Sequence, residues 1–279
     1  PEGDKYFYAN PLRMNFGQRE YSDHCDCTES PDREAYIECF CCPPNLVRTI
    51  AQVSAWAYSL TDAGLAVNLF GSNALNTKLL DGSTLRLSQQ TDFPWDGKVA
   101  LKIEECKSAL FDIQIRIPSW AKGATLSVNG ETIPVVEAGQ YTKIERQWQA
   151  GDNITLNMPM DIQFVEGHPR IEEVRNQVAV KRGPLVYCIE TPDIPESSSI
   201  LDMYIGSDSA LTAHYRDDFL GGMTTISADL LVRKDSTSEM YNQVKKPQWD
   251  AIRTEFVPYY AWSNRGTAEM TVFLPIVWK

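Results

Sequence analysis

The chain's 279 residues carry a net charge of −11, with 26 Lys and Arg against 37 Asp and Glu. No basic stripe stands out from that acidic field, which argues against nucleic acid as a partner. Hydrophobic residues make up 43%, enough for one large or two ordinary domains, and no apolar run reaches the length of a membrane span.

The chain opens at Pro1 with neither an initiator Met nor a signal-peptide pattern, so more protein is expected upstream. Residues 1–40 read as irregular and polar around a short apolar opening, Tyr6-Phe7-Tyr8-Ala9-Asn10-Pro11-Leu12. The stretch from Asp23 to Arg33, rich in charge, Ser, Thr and Pro, reads as a loop. Inside it, His24-Cys25-Asp26-Cys27 offers either a metal site or disulfide partners, with a plain surface histidine as the simpler reading.

The run Cys39-Phe40-Cys41-Cys42-Pro43-Pro44-Asn45 comes next. A core needs apolar volume rather than clustered reactive sulfur, so packing explains these thiols poorly. Two adjacent cysteines can both ligate one soft metal ion, whereas neighbouring disulfides strain the backbone. Pro43 and Pro44 suit a helix start, where a missing N–H costs nothing. The pattern predicts a helix over roughly 43–60, with Leu46, Ile50, Val53 and Ala57 on one face and Ala63-Gly64 as its stop. Cysteines at that helix mouth sit near its positive dipole end, which favours thiolate. The residues thus point to a metal or nucleophile site at Cys41 and Cys42. Disulfides or inert thiols are the alternative, and Cys39 is evenly divided between the two.

From Leu65 onward the apolar period changes from 3.6 to 2. Phe111, Ile113, Ile115 and Ile117 alternate with Asp112, Gln114 and Arg116 as in a half-buried strand. Asn129-Gly130, between Leu126-Ser127-Val128 and Thr132-Ile133, predicts a type I′ hairpin. Similar short runs at 84–88, 99–103, 141–148, 154–160, 177–189, 223–232, 251–260 and 268–278 predict an antiparallel sandwich, or two. The segment 191–221 is the least regular. Cys106 and Cys188 stand alone in strand-like runs and read as buried small hydrophobes.

Other chemistry is thinner. Glu104-Glu105 and Glu172-Glu173 would point to opposite faces of a strand and read as solvated charge, while Glu38 beside the cysteines is a weaker ligand candidate. His168 and His214 belong to no helical HExxH pattern, and neither a phosphate loop nor a G-x-S-x-G turn is present. Trp249, Tyr259, Tyr260 and Trp262 read mostly as core, with some room for a sugar-facing surface.

The cysteine run, preceded by Tyr8-Ala9-Asn10-Pro11-Leu12, resembles the end of the catalytic domain of the zinc-dependent β-L-arabinofuranosidase family. Arg182-Gly183-Pro184-Leu185-Val186-Tyr187 and Pro258-Tyr259-Tyr260-Ala261-Trp262-Ser263-Asn264-Arg265-Gly266 resemble stretches of that family's C-terminal β domains. The resemblance covers nearly the whole chain, and Cys41-Cys42-Pro43-Pro44-Asn45 is its most specific part. It implies a mainly β chain whose antiparallel sandwich domains follow the last loop and helix of an (α/α)6 barrel. The implied division is 1–64 as the barrel end, 65–190 as a β-sandwich, and 191–279 as a β region completing it or forming a second one. It further implies zinc held by three cysteines and one glutamate, with Cys41 as ligand and nucleophile, Cys42 as ligand and Tyr8 as a substrate contact. The other ligands and the general acid would come from an upstream helical half, the partner this chain lacks, and Glu38-Cys39 does not have the spacing to replace them. The implied substrate is a β-L-arabinofuranoside or a related plant-glycan sugar, cleaved with retention, and the chain alone should be inactive. Glycan-degrading relatives are often exported, which leans towards a periplasmic or extracellular setting. The rival reading is a non-catalytic β-sandwich module, carbohydrate-binding or structural, with structural cysteines.

Overall fold

The computed structural model describes residues 2–15, 32–37, 39–107, 109–134, 136–234 and 239–279. These divide into two compact units, one formed by Pro1–Cys42 with Ile162–Lys279, the other by Pro43–Asp161. The expected boundary at 190–191 therefore does not mark a compact unit. Strand Gln177–Arg182 pairs with Leu185–Glu190 and Phe273–Val277, which joins it to the C-terminal strands.

The helix Cys42–Trp56 is shorter than the pattern predicted. Tyr58–Thr61 is a strand, turning at Asp62-Ala63 into Gly64–Val67, so Ala63-Gly64 closes a hairpin and caps nothing. Gly64 is needed there for space: a Cβ on it would lie 2.0 Å from the carbonyl oxygen of Asp112 on the neighbouring strand.

Within 43–161 two sheets enclose one core. The first runs Tyr141–Trp148, Ala109–Arg116, Gly64–Val67, Tyr58–Thr61. Its pairing of Leu65 with Ile113 is parallel, an exception in a mostly antiparallel unit. The second runs Asn73–Lys78, Thr84–Thr91, Lys98–Cys106, Asn153–Asn157, Thr125–Val128, Glu131–Thr132. Alternate residues face inward, so Leu85, Leu87, Leu101, Ile103, Ile113, Ile115, Ile154 and Leu156 are all essentially inaccessible. Asn129 (φ 52°) and Gly130 (φ 85°) make the predicted I′ turn. Asp112, expected on a wet face, is buried with Lys143 2.8 Å away.

The other unit holds a single sheet whose pairings close on themselves where stacked layers were expected. Leu185–Glu190 pairs with Trp249–Pro258, then Met223–Arg233, Met203–Gly206, Phe273–Val277 and Gln177–Arg182, which returns to the first strand. Closure leaves few free edges. Val178, Val180, Tyr187, Ile189 and Phe256 fill the inner core, while Ala179, Cys188 and Val257, one residue out of phase, join Met14, Trp262 and Met270 in a second cluster. The irregular stretch after 190 resolves into short 3-10 turns at Thr191–Asp193 and Ile200–Asp202 and two further strands. Among the described residues no helix is long and apolar enough to cross a membrane.

Candidate active site and metal centre

Local backbone chemistry builds the cysteine cluster. The Cys39 N–H bonds the carbonyl of Ile37 at 2.7 Å, Cys41 turns the chain, and Cys42 is the first residue of the helix. Pro43 and Pro44 occupy its first turn, where no N–H is required. The Sγ atoms of Cys39 and Cys41 lie 3.3 Å apart, as do those of Cys41 and Cys42. All three lie within 4.8 Å of one another, forming the one metal-capable group of His, Cys, Asp and Glu side chains among the described residues.

Sulfurs around a tetrahedral zinc stand about 3.8 Å apart, given ordinary Zn–S bonds. The spacing of these thiols lies close to that demand, and an all-sulfur donor set suits a soft ion. The residues therefore fit a metal of that class. The structure brings Cys39 together with the adjacent Cys41 and Cys42.

Charge is unevenly shared. Backbone N–H groups of Cys42 and Cys41 point at Cys39 and, with the Cys41 thiol, draw its pKa down to about 6. Cys41, hydrogen-bonded to both neighbouring sulfurs, is pushed up to about 11. The backbone at the helix start thus favours a thiolate on Cys39, while hydrogen bonds to the neighbouring sulfurs hold the proton on Cys41. A metal ion bound here would deprotonate the thiols that held it, Cys41 included, whatever their own preference.

Tyr8 lies at the same place. Its hydroxyl accepts from Cys42 Sγ at 3.5 Å, and that bond, with the neighbouring thiolate charge, raises its own pKa. Sequence spacing alone could not bring Tyr8 to Cys42, which is 34 residues away. The segment carrying it is fastened by Tyr6 and Glu34, paired through two 3.0 Å backbone bonds, and by Arg13–Met14 alongside Met270–Thr271.

The remaining candidates lie apart from the cysteines. Glu104 binds Lys102 and Ser88, and Glu105 faces Arg86, both on the surface. Glu172 and Glu173 lie in a 3-10 turn, not in a strand. His168 accepts the N–H of Arg170, and His214 bonds Ser227 at 3.0 Å. Trp249 packs edge-on to Tyr204, while Tyr259 donates to the carbonyl of Pro11. Cys188 is fully buried and Cys106 partly so, each with its thiol pKa raised chiefly by desolvation. Among the described residues no two cysteines form a disulfide. His24, Cys25, Cys27 and Glu38 lie outside the described residues.

Residues 64–160 match the beta-L-arabinofuranosidase GH127 middle domain, and residues 162–275 match the glycoside hydrolase family 127 C-terminal domain. The chain belongs to glycoside hydrolase family 127. A non-reducing end beta-L-arabinofuranosidase of Bifidobacterium longum subsp. longum is 32% identical over 293 residues, a match covering 98% of this chain and 42% of that protein. Among solved structures, one described as a glycoside hydrolase superposes with a TM-score of 0.88 at 36% identity, covering 99% of this chain and 45% of its own. A GH127 beta-L-arabinofuranosidase from Geobacillus stearothermophilus T6 gives 0.86 at 33% identity, covering 99% of this chain and 43% of its own. The chain thus spans less than half the length of these relatives. The family boundary at 160–162 coincides with the division between compact units.

Proposed function

We propose that this chain supplies the nucleophile and part of the metal site of a retaining, zinc-dependent β-L-arabinofuranosidase. The carrying observation is the position of Cys41 between two further thiols at a helix start. Cys41 is the nucleophile and a ligand, Cys42 a further ligand, and Tyr8 a group within reach of both sulfur and substrate. Zinc would be held by Cys41 and Cys42 with a Glu and a Cys from a helical half beyond this chain, and would supply a thiolate at neutral pH. The sulfur of Cys41 attacks the anomeric carbon, forming a C–S bond as the glycosidic C–O bond breaks. A carboxylic acid from the helical half gives its proton to the departing oxygen. Water, activated by the same carboxylate, then displaces the sulfur, so two inversions give net retention.

The helix supports the same assembly. Leu46, Val47, Ile50, Val53 and Trp56 are each between 44% and 66% exposed, and no residue of the helix is buried. Such a surface calls for cover, which the helical half provides.

The test is metal content and turnover of a β-L-arabinofuranoside, measured on the protein assembled with its helical half. Cys41→Ser should abolish turnover while part of the zinc persists. Cys42→Ser should lose zinc and activity together. Full activity in Cys41→Ser overturns the proposal.

A further inference from the structure

We propose that Trp262, on the C-terminal β unit, is a positioning residue for the cysteine site, holding Tyr8 against Cys42 through Phe7. The inference rests on the reading of that cluster as the active site, but its geometry stands separately. The Phe7 ring lies flat on Trp262, with centroids 4.2 Å apart and planes within 2°. On that ring sits the Arg33 guanidinium, 4.9 Å from the centroid. The same guanidinium donates to the carbonyls of Trp262 (3.1 and 3.0 Å) and Tyr260 (2.8 Å). Phe7 is thus gripped on the residue next to Tyr8, whose hydroxyl meets Cys42.

Trp262 is itself held rigidly. It is 2% exposed, and the next residue, Ser263, donates its N–H to Glu190 at 2.6 Å. Fully buried Glu190 also accepts from Arg265 at 2.6 Å, and Arg265 reaches Asp193 at 2.8 Å. A buried ionic latch in the β unit therefore fixes the indole that fixes Phe7. Groups behind a metal ligand orient it and are commonly worth a factor of about 10–100 in affinity or activity.

Two readouts on the protein assembled with its helical half test the idea. The first is the rate of alkylation of metal-free Cys42 by iodoacetamide, followed by peptide mass mapping at fixed pH. Tyr8→Ala should raise that rate several-fold by freeing the exposed thiol from the hydroxyl that orients it. Trp262→Ala and Phe7→Ala should raise it to a similar degree, and Trp262→Phe should restore it. In the Tyr8→Ala background neither Phe7→Ala nor Trp262→Ala should add anything, because both act through Tyr8. Phe7→Ala keeps the comparison valid if Trp262→Ala fails to fold. Rates that multiply in the double variants, or remain at the wild-type value in Phe7→Ala, overturn the positioning role. The second readout is zinc affinity by chelator competition in the protein assembled with its helical half. A fall of about tenfold for Phe7→Ala supports the role. Wild-type protein that fails to bind zinc overturns the metal reading and leaves the alkylation result to decide the positioning role.

Discussion

Cys39 is the thiol that the helix mouth ionises, although Cys41 is the proposed nucleophile. The split follows from where the backbone N–H groups point, which the Cys-x-Cys-Cys spacing does not reveal. Without metal, alkylation should begin at Cys39 as pH rises through about 6, whereas Cys41 should resist until about 11. A lowered pKa means the reactive thiolate is present above that value, so reaction at pH 5 should be slow at Cys39 and slower still at Cys41. Site-resolved alkylation across pH 4–9 checks the order. Away from the site, Cys188 and Cys106 pack in or against the cores. Cys188→Ser and Cys106→Ser should each cost about 1–2 kcal/mol at most and leave turnover nearly intact, as denaturant titration and assay would show.

Individual elements show where local pattern suffices and where it fails. Asn129-Gly130 is legible because a tight hairpin demands positive φ at both positions. The end of the helix is not. Tyr58 and Leu60 extend an apolar run that reads equally well as helix, and Gly64 looks like a cap while serving a close crossing with Asp112. Gly64→Ala should therefore cost about 3 kcal/mol, because the obstruction is backbone and cannot rotate away. Calorimetry should show the Pro43–Asp161 unit melting earlier; an unchanged melting profile would contradict the crossing. Arg265 is legible only as part of a resemblance. Its partners Glu190 and Asp193 are distant in sequence and meet it through sheet pairing. Arg265→Met strands a buried carboxylate and should cost about 3–5 kcal/mol. Denaturant unfolding with no loss of stability would show that the Ser263 N–H satisfies Glu190 without the guanidinium.

Across the whole chain, period-2 alternation makes the β character readable, whereas closure of the C-terminal sheet depends on contacts no local window contains. The parallel pairing of Ile205 with Ile276 is one of these. Tyr8 meets Cys42 for the same reason, by way of a fold-level route through Phe7 and Trp262. The exposed helix is the other global feature. In isolation the chain should self-associate, and Val47→Lys with Ile50→Glu should reduce that without lowering the melting of the β units. Light scattering distinguishes this from a monodisperse wild-type monomer, which would argue against a covering partner.

In the proposed mechanism Cys41 carries the sugar during turnover. This is tested most directly by acid-quenching the assembled enzyme with a slowly hydrolysed β-L-arabinofuranoside and mapping the peptides by mass. One pentosyl group should appear on the peptide containing Cys41, assigned to that sulfur by fragmentation and absent from Cys41→Ser. A sugar on any other residue, or none while turnover continues in Cys41→Ser, would contradict it.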